Sequence, residues 1–240
     1  MNIYILSHTE NPFKTIYSAY RQCYSSGTAS DIFHDEDVTA EQMVKTIRKG
    51  IRSGHLSPLE HVSFTFSVEG VSRALTHQLV RHRMASYSQQ SQRYVNVKNN
   101  GYYIPNAVHE KQAAYEAYVH AVRACLDAYN ELVEMGIPIK DARYLLPNAM
   151  YSNIVVTMNC RELLHFFEER CCSRAQNEIN ILAWNMLYSV NRILPAAFED
   201  AGPKCKRLGY CPEEKGCGFA PKRDDVFGIS EQLKEEENGD

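Results

Sequence analysis

The stretch between residues 61 and 83 changes its hydrophobic period once, and this change constrains the fold more than any other feature of the chain. Apolar and polar residues alternate through HVSFTFSVE at residues 61–69, which predicts a strand with one buried face. From Val71 onward the apolar residues recur at helical spacing, so we predict a helix over residues 71–83. A strand that runs directly into a helix predicts a sheet with helices packed against it.

The rest of the chain supplies more elements of both kinds. Residues 2–7 and 152–158 have β-rich composition and are predicted strands, whereas residues 87–97 are polar and are predicted to be extended or irregular. Predicted helices, with their capping residues, cover residues 39–53 (Thr39 and Gly54), residues 110–135 (Gly136) and residues 161–194 with a break near 171–173. These elements predict one α+β domain, a mixed or antiparallel sheet flanked by long helices.

Charge is distributed very unevenly along the chain. The formal net charge is −3, but residues 224–240 carry −6, so residues 1–223 carry +3. Residues 70–109 contain no Asp or Glu and hold five cations, Arg73, Arg81, Arg83, Arg93 and Lys98. A window of this kind indicates an anionic ligand, most simply a phosphate. We expect residues 1–203 to form the folded domain, residues 204–223 a Cys-, Gly- and Pro-rich extension, and the acidic residues 224–240 a disordered tail.

Composition excludes several classes of protein. Hydrophobic residues make up 44% and charged residues 23% of the chain, which is the balance of a globular protein. No apolar run approaches the roughly 18–20 residues that span a bilayer, and the N-terminus has neither the basic start nor the cleavage site of a secretory signal. We therefore expect a cytoplasmic protein without a membrane partner, whose eight cysteines are reduced thiols.

The segment RHRMASYSQQSQRY, residues 81–94, concentrates the groups that bind phosphates and base edges. Two arginines flank His82, and a run of serines and glutamines ends at Arg93. Hydroxyl and amide donors next to a permanent cation can hold a phosphate, and amides can pair with a base. A simpler interpretation is that the arginines only complement the dipole of a helix C-terminus.

Arg81-His82-Arg83, followed after seven residues by Ser91, resembles the RHRxxxxxxxS motif of the flavin-dependent thymidylate synthases. The segment HLSPLEH at residues 55–61 is similar to a further motif of the family, as are Arg143 before Leu145-Leu146-Pro147, Asn159-Cys160-Arg161 and residues 165–170. The resemblance covers about residues 1–200 in the family's order. It implies a homotetramer whose active sites are shared among subunits.

The resemblance also implies the residues of two sites. Those expected to bind FAD are His55, Ser57, Arg81, His82, Arg83, Gln89, Asn159, Arg161 and His165. Those expected to bind dUMP are Gln78, Arg81, Gln89, Gln90, Ser91, Gln92, Arg93, Arg143 and Arg170. Arg170 is the expected catalytic residue, because a guanidinium beside the pyrimidine would stabilise negative charge there. The chain has no GxGxxG motif, in agreement with a flavin held by Arg and His donors.

The implied reaction is the reductive methylation of dUMP to dTMP. 5,10-Methylenetetrahydrofolate would donate the carbon, reduced FAD the hydride, and NADPH would reduce the flavin again. The chain departs from the family at Ser88-Gln89, where many members carry Asn-Glu. Gln89 is neutral and lacks the negative charge that Glu brings to this position in other members, although an amide can still form hydrogen bonds.

Other interpretations of the same residues remain open at this point. A nucleic-acid-binding module could use the basic window with Tyr87, Tyr94, Tyr102 and Tyr103 as stacking platforms, but the pI of about 6.3 argues against nucleic acid as a partner. The arginines could also form ion pairs in an oligomer interface.

Some side chains in and around these segments have other possible roles. Ser91 could be a nucleophile, and His55 with His61 a metal pair, but neither has the expected spacing. Cys205, Cys211 and Cys217, at intervals of six, could hold zinc with a fourth ligand, although we expect no metal.

Overall fold

A computed structural model describes residues 1–97, 101–223 and 225. The chain is α+β and groups into two compact units, each assembled from several segments. The first contains Met1–Glu10, Glu60–Glu162 and Asn177–Ile179; the second contains Asn11–Leu59, Leu163–Gln176 and Asn180–Asp240. Lys98 and, apart from Asp225, the acidic tail lie outside the described residues.

The strands are β1 (Asn2–His8), β2 (Ser63–Ser72), β3 (Ala85–Gln89) and β4 (Tyr151–Asn159). The helices are α1 (Pro12–Gln22), α2 (Ala29–His34), α3 (Ala40–Arg52), α4 (Arg73–Leu79), α5 (Asn106–His109), α6 (Gln112–Glu134), α7 (Ile139–Ala142), α8 (Cys160–Arg170), α9 (Asn177–Asn191), α10 (Pro195–Phe198) and α11 (Lys204–Leu208). Short 3₁₀ helices cover Ser57–His61 and Arg143–Leu145. No helix in the described part of the chain is both long and apolar enough to cross a membrane.

The first unit is built on a sheet with strand order β1-β2-β4-β3, in which every neighbouring pair is antiparallel. The predicted alternation in β2 is confirmed, since Phe64, Phe66 and Val68 are buried. Phe66 pairs directly with Val156 of β4, and the flanking partners on the same face are also apolar. Burial of this shared face fixes the register, because a slip by one residue would move every apolar side chain to the opposite face.

A β-bulge at Gly70 lies at the end of β2, and it is the reason why the predicted boundary between β2 and α4 differs from the observed one. The register shifts between Val68 and Val71, and Gly70 has φ +64°, a conformation that glycine adopts without strain. The Gly70 N–H donates to Asn153 Oδ1 at 3.0 Å. The strand therefore continues to Ser72, and α4 spans only Arg73–Leu79, so the predicted helix over residues 71–83 was too long at both ends.

The polar segment after α4 also contains more structure than predicted. β3 pairs with β4 through Ala85↔Met158 to Gln89↔Ile154, so the first part of residues 87–97 is a strand, and a turn follows it. Farther along, α6 packs Tyr129 against Val97 and Ala142. The long helix predicted over residues 110–135 is confirmed as α6, and the short helix α7 follows Pro138.

In the second unit, α1 packs on α3 at a glycine. A Cβ at Gly50 of α3 would overlap Cε1 and Cζ of the Tyr20 ring on α1, so only glycine permits this close approach. Tyr20, Ile16 and Ile47 are buried there. α3 begins as predicted, because the Thr39 hydroxyl accepts the Gln42 N–H at 3.2 Å.

The helical region predicted over residues 161–194 is divided into two helices. α8 ends at Arg170 and α9 begins at Asn177, so the break covers residues 171–176 and is longer than predicted. In the second unit, Phe167 of α8 contacts Phe166 and Phe198, with ring centroids 5.8 and 5.9 Å away. Pro195 occupies the first turn of α10, a position that needs no backbone N–H donor.

Candidate active site

The turn between α4 and β3 presents two guanidiniums outward and one imidazole inward. The N–H of Arg81 donates to Gln78 O at 3.2 Å, and that of His82 to Leu79 O at 3.1 Å, so the chain folds back immediately after α4. Arg81 and Arg83 are exposed, whereas His82 is only 6% exposed. Neighbouring residues of the predicted motif thus have opposite environments.

The buried side of this turn is held by polar contacts. His82 Nδ1 lies 3.6 Å from Oε1 of Glu162, and both side chains are buried. The Tyr87 hydroxyl contacts the carbonyl oxygens of Leu79 and His82, each at 2.8 Å. Burial, and then the charge of Glu162, raise the pKa of Tyr87, so its phenol stays a donor. These contacts fix the backbone from which the two arginines project.

Gln89, at the end of β3, uses its amide nitrogen inside the first unit. Gln89 Nε2 donates to Thr76 Oγ1 at 2.9 Å and to Ser152 Oγ at 3.3 Å. The side chain therefore connects α4, β3 and β4. A carboxylate at this position could accept hydrogen bonds from the two hydroxyls but could donate none to them.

The predicted phosphate-binding residues form a turn directly after β3. Ser91 O accepts the Val95 N–H at 3.0 Å, and Ser91 Oγ accepts the Arg93 N–H at 3.2 Å. Arg93 is exposed and lies over the Tyr94 ring, 5.5 Å from its centroid. Gln92 Nε2 is buried without a hydrogen-bond partner among the described residues. A buried donor of this kind fits a ligand that brings an acceptor.

Arg143 lies near a second cation that the motif did not include. Arg143 Nε donates to Lys140 O at 3.2 Å, and its guanidinium interacts electrostatically with that of Arg73 at the start of α4. The pKa of Arg73 is lowered, first by burial and then by the charge of Arg143. An anion between these two guanidiniums would relieve their repulsion. Arg73 could have been identified from its position in the acid-free window, but the motif gave no reason to pair it with Arg143.

Glu178 is a buried carboxylate that sequence reasoning missed entirely. It is 2% exposed, accepts the Ser72 N–H at 2.8 Å and also bonds to the Ser72 hydroxyl. Burial raises its pKa, and the bonds from Ser72 partly offset this. Because Ser72 Oγ in turn accepts the Leu75 N–H at 3.0 Å, Glu178 supports the N-terminus of α4, which carries Gln78.

At the other end of β4, Asn159 and Arg161 make contacts within the first unit. Asn159 Oδ1 accepts the Glu162 N–H at 2.9 Å and so caps the start of α8. Arg161 Nη1 lies 2.5 Å from Glu60 Oε1 in a half-exposed ion pair. A pair this exposed adds little stability, so the arginine can exchange its partner for a ligand at low cost.

In the second unit, His55 follows α3 at a turn set by Gly54, whose φ is +77°. The His55 carbonyl accepts the Tyr20 hydroxyl at 2.7 Å, and the two rings meet edge to face at 5.3 Å. Burial raises the pKa of Tyr20 to about 12, so this phenol remains a donor. The backbone of His55 is thus held in place, while Ser57 is exposed at the start of a 3₁₀ helix.

The second unit also holds His165, which is exposed on α8, and Arg170 at the last position of that helix. The carbonyl of Arg170 accepts Asn180 Nδ2 at 2.8 Å. Arg170 lines a pocket whose walls also include Glu168, Glu169, Arg174, Lys204 and Glu213 and the sulfur-bearing residues Cys172, Cys205, Cys211 and Cys217. Within the described chain, no three His, Cys, Asp or Glu side chains are grouped so that they could hold a metal ion.

The chain is similar to known proteins over most of its length. The family described as "Thymidylate synthase complementing protein" matches residues 4–196. A flavin-dependent thymidylate synthase of Nitratidesulfovibrio vulgaris is 47% identical over 232 residues, which cover 91% of this chain and 95% of the relative. The chain belongs to the flavin-dependent thymidylate synthase family.

Further members of the flavin-dependent thymidylate synthase family are similarly close. The proteins of Geobacter sulfurreducens and Pyrococcus abyssi are 47% and 40% identical and cover 95% and 90% of this chain, which covers 98% and 91% of them. A crystal structure of a UMP/dUMP methylase, PolB from Streptomyces cacaoi, bound with 5-Br dUMP, has a TM-score of 0.71 at 24% identity and covers 82% of this chain, which covers 93% of it. This structural similarity shows the shared fold. Family membership favours an enzyme over a nucleic-acid-binding or purely structural protein.

The residues that the flavin-dependent thymidylate synthase motifs single out are divided between the two units. His55, Ser57, His165 and Arg170 belong to the second unit, and all the others belong to the first. Within the first unit, the turn at Arg81 and the turn at Ser91 are the two ends of one segment that contains β3. A single β-strand pairing therefore orders both turns.

Proposed function

We propose that this protein methylates dUMP reductively to dTMP, with 5,10-methylenetetrahydrofolate as carbon donor and FAD as redox cofactor. The observation that carries the proposal is the RHR turn, which presents Arg81 and Arg83 to solvent on a backbone fixed by Tyr87 and His82. Membership in the flavin-dependent thymidylate synthase family assigns the reaction. Bound flavin supplies the hydride that reduces the transferred carbon to a methyl group, and NADPH restores it.

The exposed guanidiniums of Arg81 and Arg83 fit the diphosphate of FAD. A fixed backbone and a planar donor group make such contacts specific as well as strong. His82, whose imidazole is buried beside Glu162, would contribute to the FAD site by positioning the turn. The remaining proposed FAD contacts are His55, Ser57, Gln89, Asn159, Arg161 and His165.

The turn after β3 fits the phosphate and sugar of dUMP. The buried amide nitrogen of Gln92 is a donor that lacks an acceptor among the described residues, and Arg93 adds a cation beside it. Arg143 would complete the phosphate site, and its proximity to Arg73 supports an anion there. The further proposed dUMP contacts are Gln78, Arg81, Gln89, Gln90, Ser91 and Arg170.

Arg170 is the proposed catalytic residue. Uracil C5 is a weak nucleophile, and a cation near N3 and O2 stabilises the enolate-like form that makes C5 electron-rich. A guanidinium is a cation that takes no part in proton transfer, which suits this role. The bond from Asn180 Nδ2 to the Arg170 carbonyl, at the end of α8, fixes the backbone from which the side chain projects.

We also propose that the active enzyme is a cytoplasmic homotetramer with active sites shared among subunits, built from residues 1–203, with residues 204–223 as an added extension. Membership in the flavin-dependent thymidylate synthase family supports this part of the proposal. Sedimentation analysis of the purified protein should give four chains per particle, and a monomer that forms dTMP would contradict this part of the proposal.

The proposed function is tested by flavin content and by product formation. The purified protein should show flavin absorbance that bleaches with NADPH or dithionite, and it should form dTMP from dUMP and methylenetetrahydrofolate. A protein that cannot be reconstituted with FAD would refute the proposal.

The proposed roles of Arg93 and Arg170 predict different defects. Arg170→Ala should abolish turnover while FAD stays bound, and Arg93→Ala should chiefly raise the KM for dUMP, about tenfold or more for a lost charged hydrogen bond. Arg21→Ala, at an exposed arginine of α1, is the matched control and should keep both parameters. Near-normal turnover in Arg170→Ala would contradict the assigned role.

A further inference from the structure

The C-terminal extension contributes three cysteines to a four-thiol pocket in the second unit. Cys205, Cys211 and Cys217 line it together with Cys172, which follows α8 by two residues. The three were recognisable in the sequence by their regular spacing, but their fourth neighbour was not. Two ion pairs connect the extension to α8, Lys204 Nζ to Glu169 Oε1 and Arg207 Nε to Glu168 Oε1, each at 2.5 Å.

The four thiols differ in their surroundings, and those of Cys217 favour the reactive thiolate form. It is exposed, its sulfur is hydrogen-bonded by the Ser173 side chain and by the backbone of Phe219, and the Arg174 cation lies nearby. These contacts, with that of Ser173 the largest, lower the pKa of Cys217.

The surroundings of Cys217 are held in place by the extension itself. Arg174 Nη1 is bonded to Glu213 Oε2 at 2.8 Å and to Lys215 O at 3.1 Å, so the cation stays near the thiol. By contrast, burial is the main cause that raises the pKa of Cys205, and burial also raises that of the neighbouring Cys171 to about 12. Burial disfavours the thiolate at Cys205 and Cys171, whereas hydrogen bonds favour it at Cys217.

Cys211 is a thiol of the pocket whose sulfur lies beside Gly216, the residue before Cys217. Its Sγ lies 3.0 Å from the place that a Cβ on Gly216 would occupy, so the sulfur fills the space beside the residue that precedes Cys217. The Cys211 N–H donates to Pro221 O at 2.8 Å, which closes the loop around both cysteines. A reactive thiol with a second thiol close by is the arrangement in which a reversible oxidation product forms a disulfide.

We propose that Cys217 is a modification site for hydroperoxides and that Cys211 resolves the product as a disulfide. In the first step the Cys217 thiolate attacks the terminal oxygen of the hydroperoxide and the O–O bond breaks. The other oxygen leaves as hydroxide from hydrogen peroxide, or as alkoxide from an organic hydroperoxide, so sulfur is oxidised to a sulfenic acid and the peroxide is reduced. In the second step the Cys211 sulfur attacks the Cys217 sulfur, the S–O bond breaks and water leaves with the Cys211 proton. No residue of the proposed FAD and dUMP sites takes part in these two steps. One of them, Arg170, lines the same pocket.

The test is oxidation of the full-length protein with hydrogen peroxide, with dimedone as the sulfenic-acid probe and peptide mapping by mass spectrometry. In the wild-type protein, Cys217 should be oxidised at least about tenfold faster than Cys23, an exposed thiol of the same chain, because the thiolate reacts. The product should be a Cys211–Cys217 disulfide that dithiothreitol reverses. In Cys211→Ser, dimedone should instead label Cys217, because its sulfenic acid is no longer resolved.

Three further measurements decide the assignment. Ser173→Ala should slow oxidation of Cys217 about threefold, because the thiolate loses a hydrogen bond. Cys23→Ser is the control and should leave disulfide formation unchanged. Equal rates at Cys217 and Cys23, or a disulfide to Cys172 or Cys205, would overturn the proposal. So would one equivalent of zinc in the purified protein that protects all four thiols, because the pocket would then be a metal site.

Discussion

A single methyl group added at Gly50 should disrupt the contact that holds His55 in place. In most helices Gly→Ala is stabilising, by about 1 kcal/mol. At Gly50 a Cβ would overlap the Tyr20 ring, and it would also lie 2.5 Å from the ring's hydroxyl oxygen. The overlapped atoms belong to a buried aromatic ring, which cannot rotate away as the end of a flexible side chain could.

The expected magnitude follows from three contributions. Helix propensity favours alanine by about 1 kcal/mol, while overpacking in a close-packed core costs about 1–3 kcal/mol. Displacement of the ring would also break the 2.7 Å bond between the Tyr20 hydroxyl and His55 O, which contributes about 1 kcal/mol. We therefore expect Gly50→Ala to lower the free energy of unfolding by about 1–3 kcal/mol, with the upper figure applying when overpacking has its full cost.

Urea unfolding followed by circular dichroism measures this change, with FAD affinity as a second readout because His55 is a proposed FAD contact. Tyr20→Phe separates the hydroxyl from the ring and should cost only about 1 kcal/mol. In the Tyr20→Leu background the smaller side chain leaves room for the methyl group. Gly50→Ala should therefore lower the free energy of unfolding less in that background than it does in the wild-type protein. If Gly50→Ala raises the urea midpoint, as helix propensity alone predicts, the close approach of α1 and α3 is refuted.

Two further substitutions test buried polar contacts of the first unit. The pKa of Glu178 is raised above its ordinary 4.5, so the folded state binds the proton more tightly than the unfolded chain, and this contribution to stability is lost as the pH rises through the raised pKa. Urea midpoints measured from pH 4 upward should therefore fall for the wild type relative to Glu178→Gln, and the opposite trend would contradict the raised pKa. Gln89→Glu would replace a donor to Thr76 and Ser152 by a half-buried charge, so we expect a loss of about 1–2 kcal/mol in thermal unfolding at pH 7, with Gln89→Met as the uncharged comparison.

Local patterns predicted the elements whose causes are local. The alternation in β2 identified its buried face, and Thr39 marked the start of α3, because period and capping act over a few residues. The boundary between β2 and α4 was wrong because the bulge at Gly70 moves the chain to a new register within one residue. A glycine in a strand is compatible with an end, a bend or a bulge, and only the pairing with Asn153 selects among them.

The candidate site could be predicted as a set of residues but not as an arrangement. The proximity of Arg73 and Arg143, and of Cys172 and the extension, joins residues separated by dozens of positions, so it depends on the fold rather than on any local spacing. Glu178 gave no signal at all, because an acid near the start of a helix is ordinary on an exposed surface. Its burial against Ser72 is what makes it significant.

The spacing between the arginines and Ser91 in the RHR motif has a physical cause, which is the contact of Tyr87 with the turn at residues 81–83. Tyr87 lies one strand position beyond Ser86, and its hydroxyl reaches back to the carbonyls of Leu79 and His82. The reach is possible only when β3 is paired with β4, as it is through Tyr87↔Val156. Any insertion between His82 and Tyr87 would lengthen the loop and loosen the turn, and one beyond Tyr87 would shift Ser91 relative to it. The distance between the arginines and the serine in this chain thus follows from a strand that begins and ends at fixed positions of the sheet.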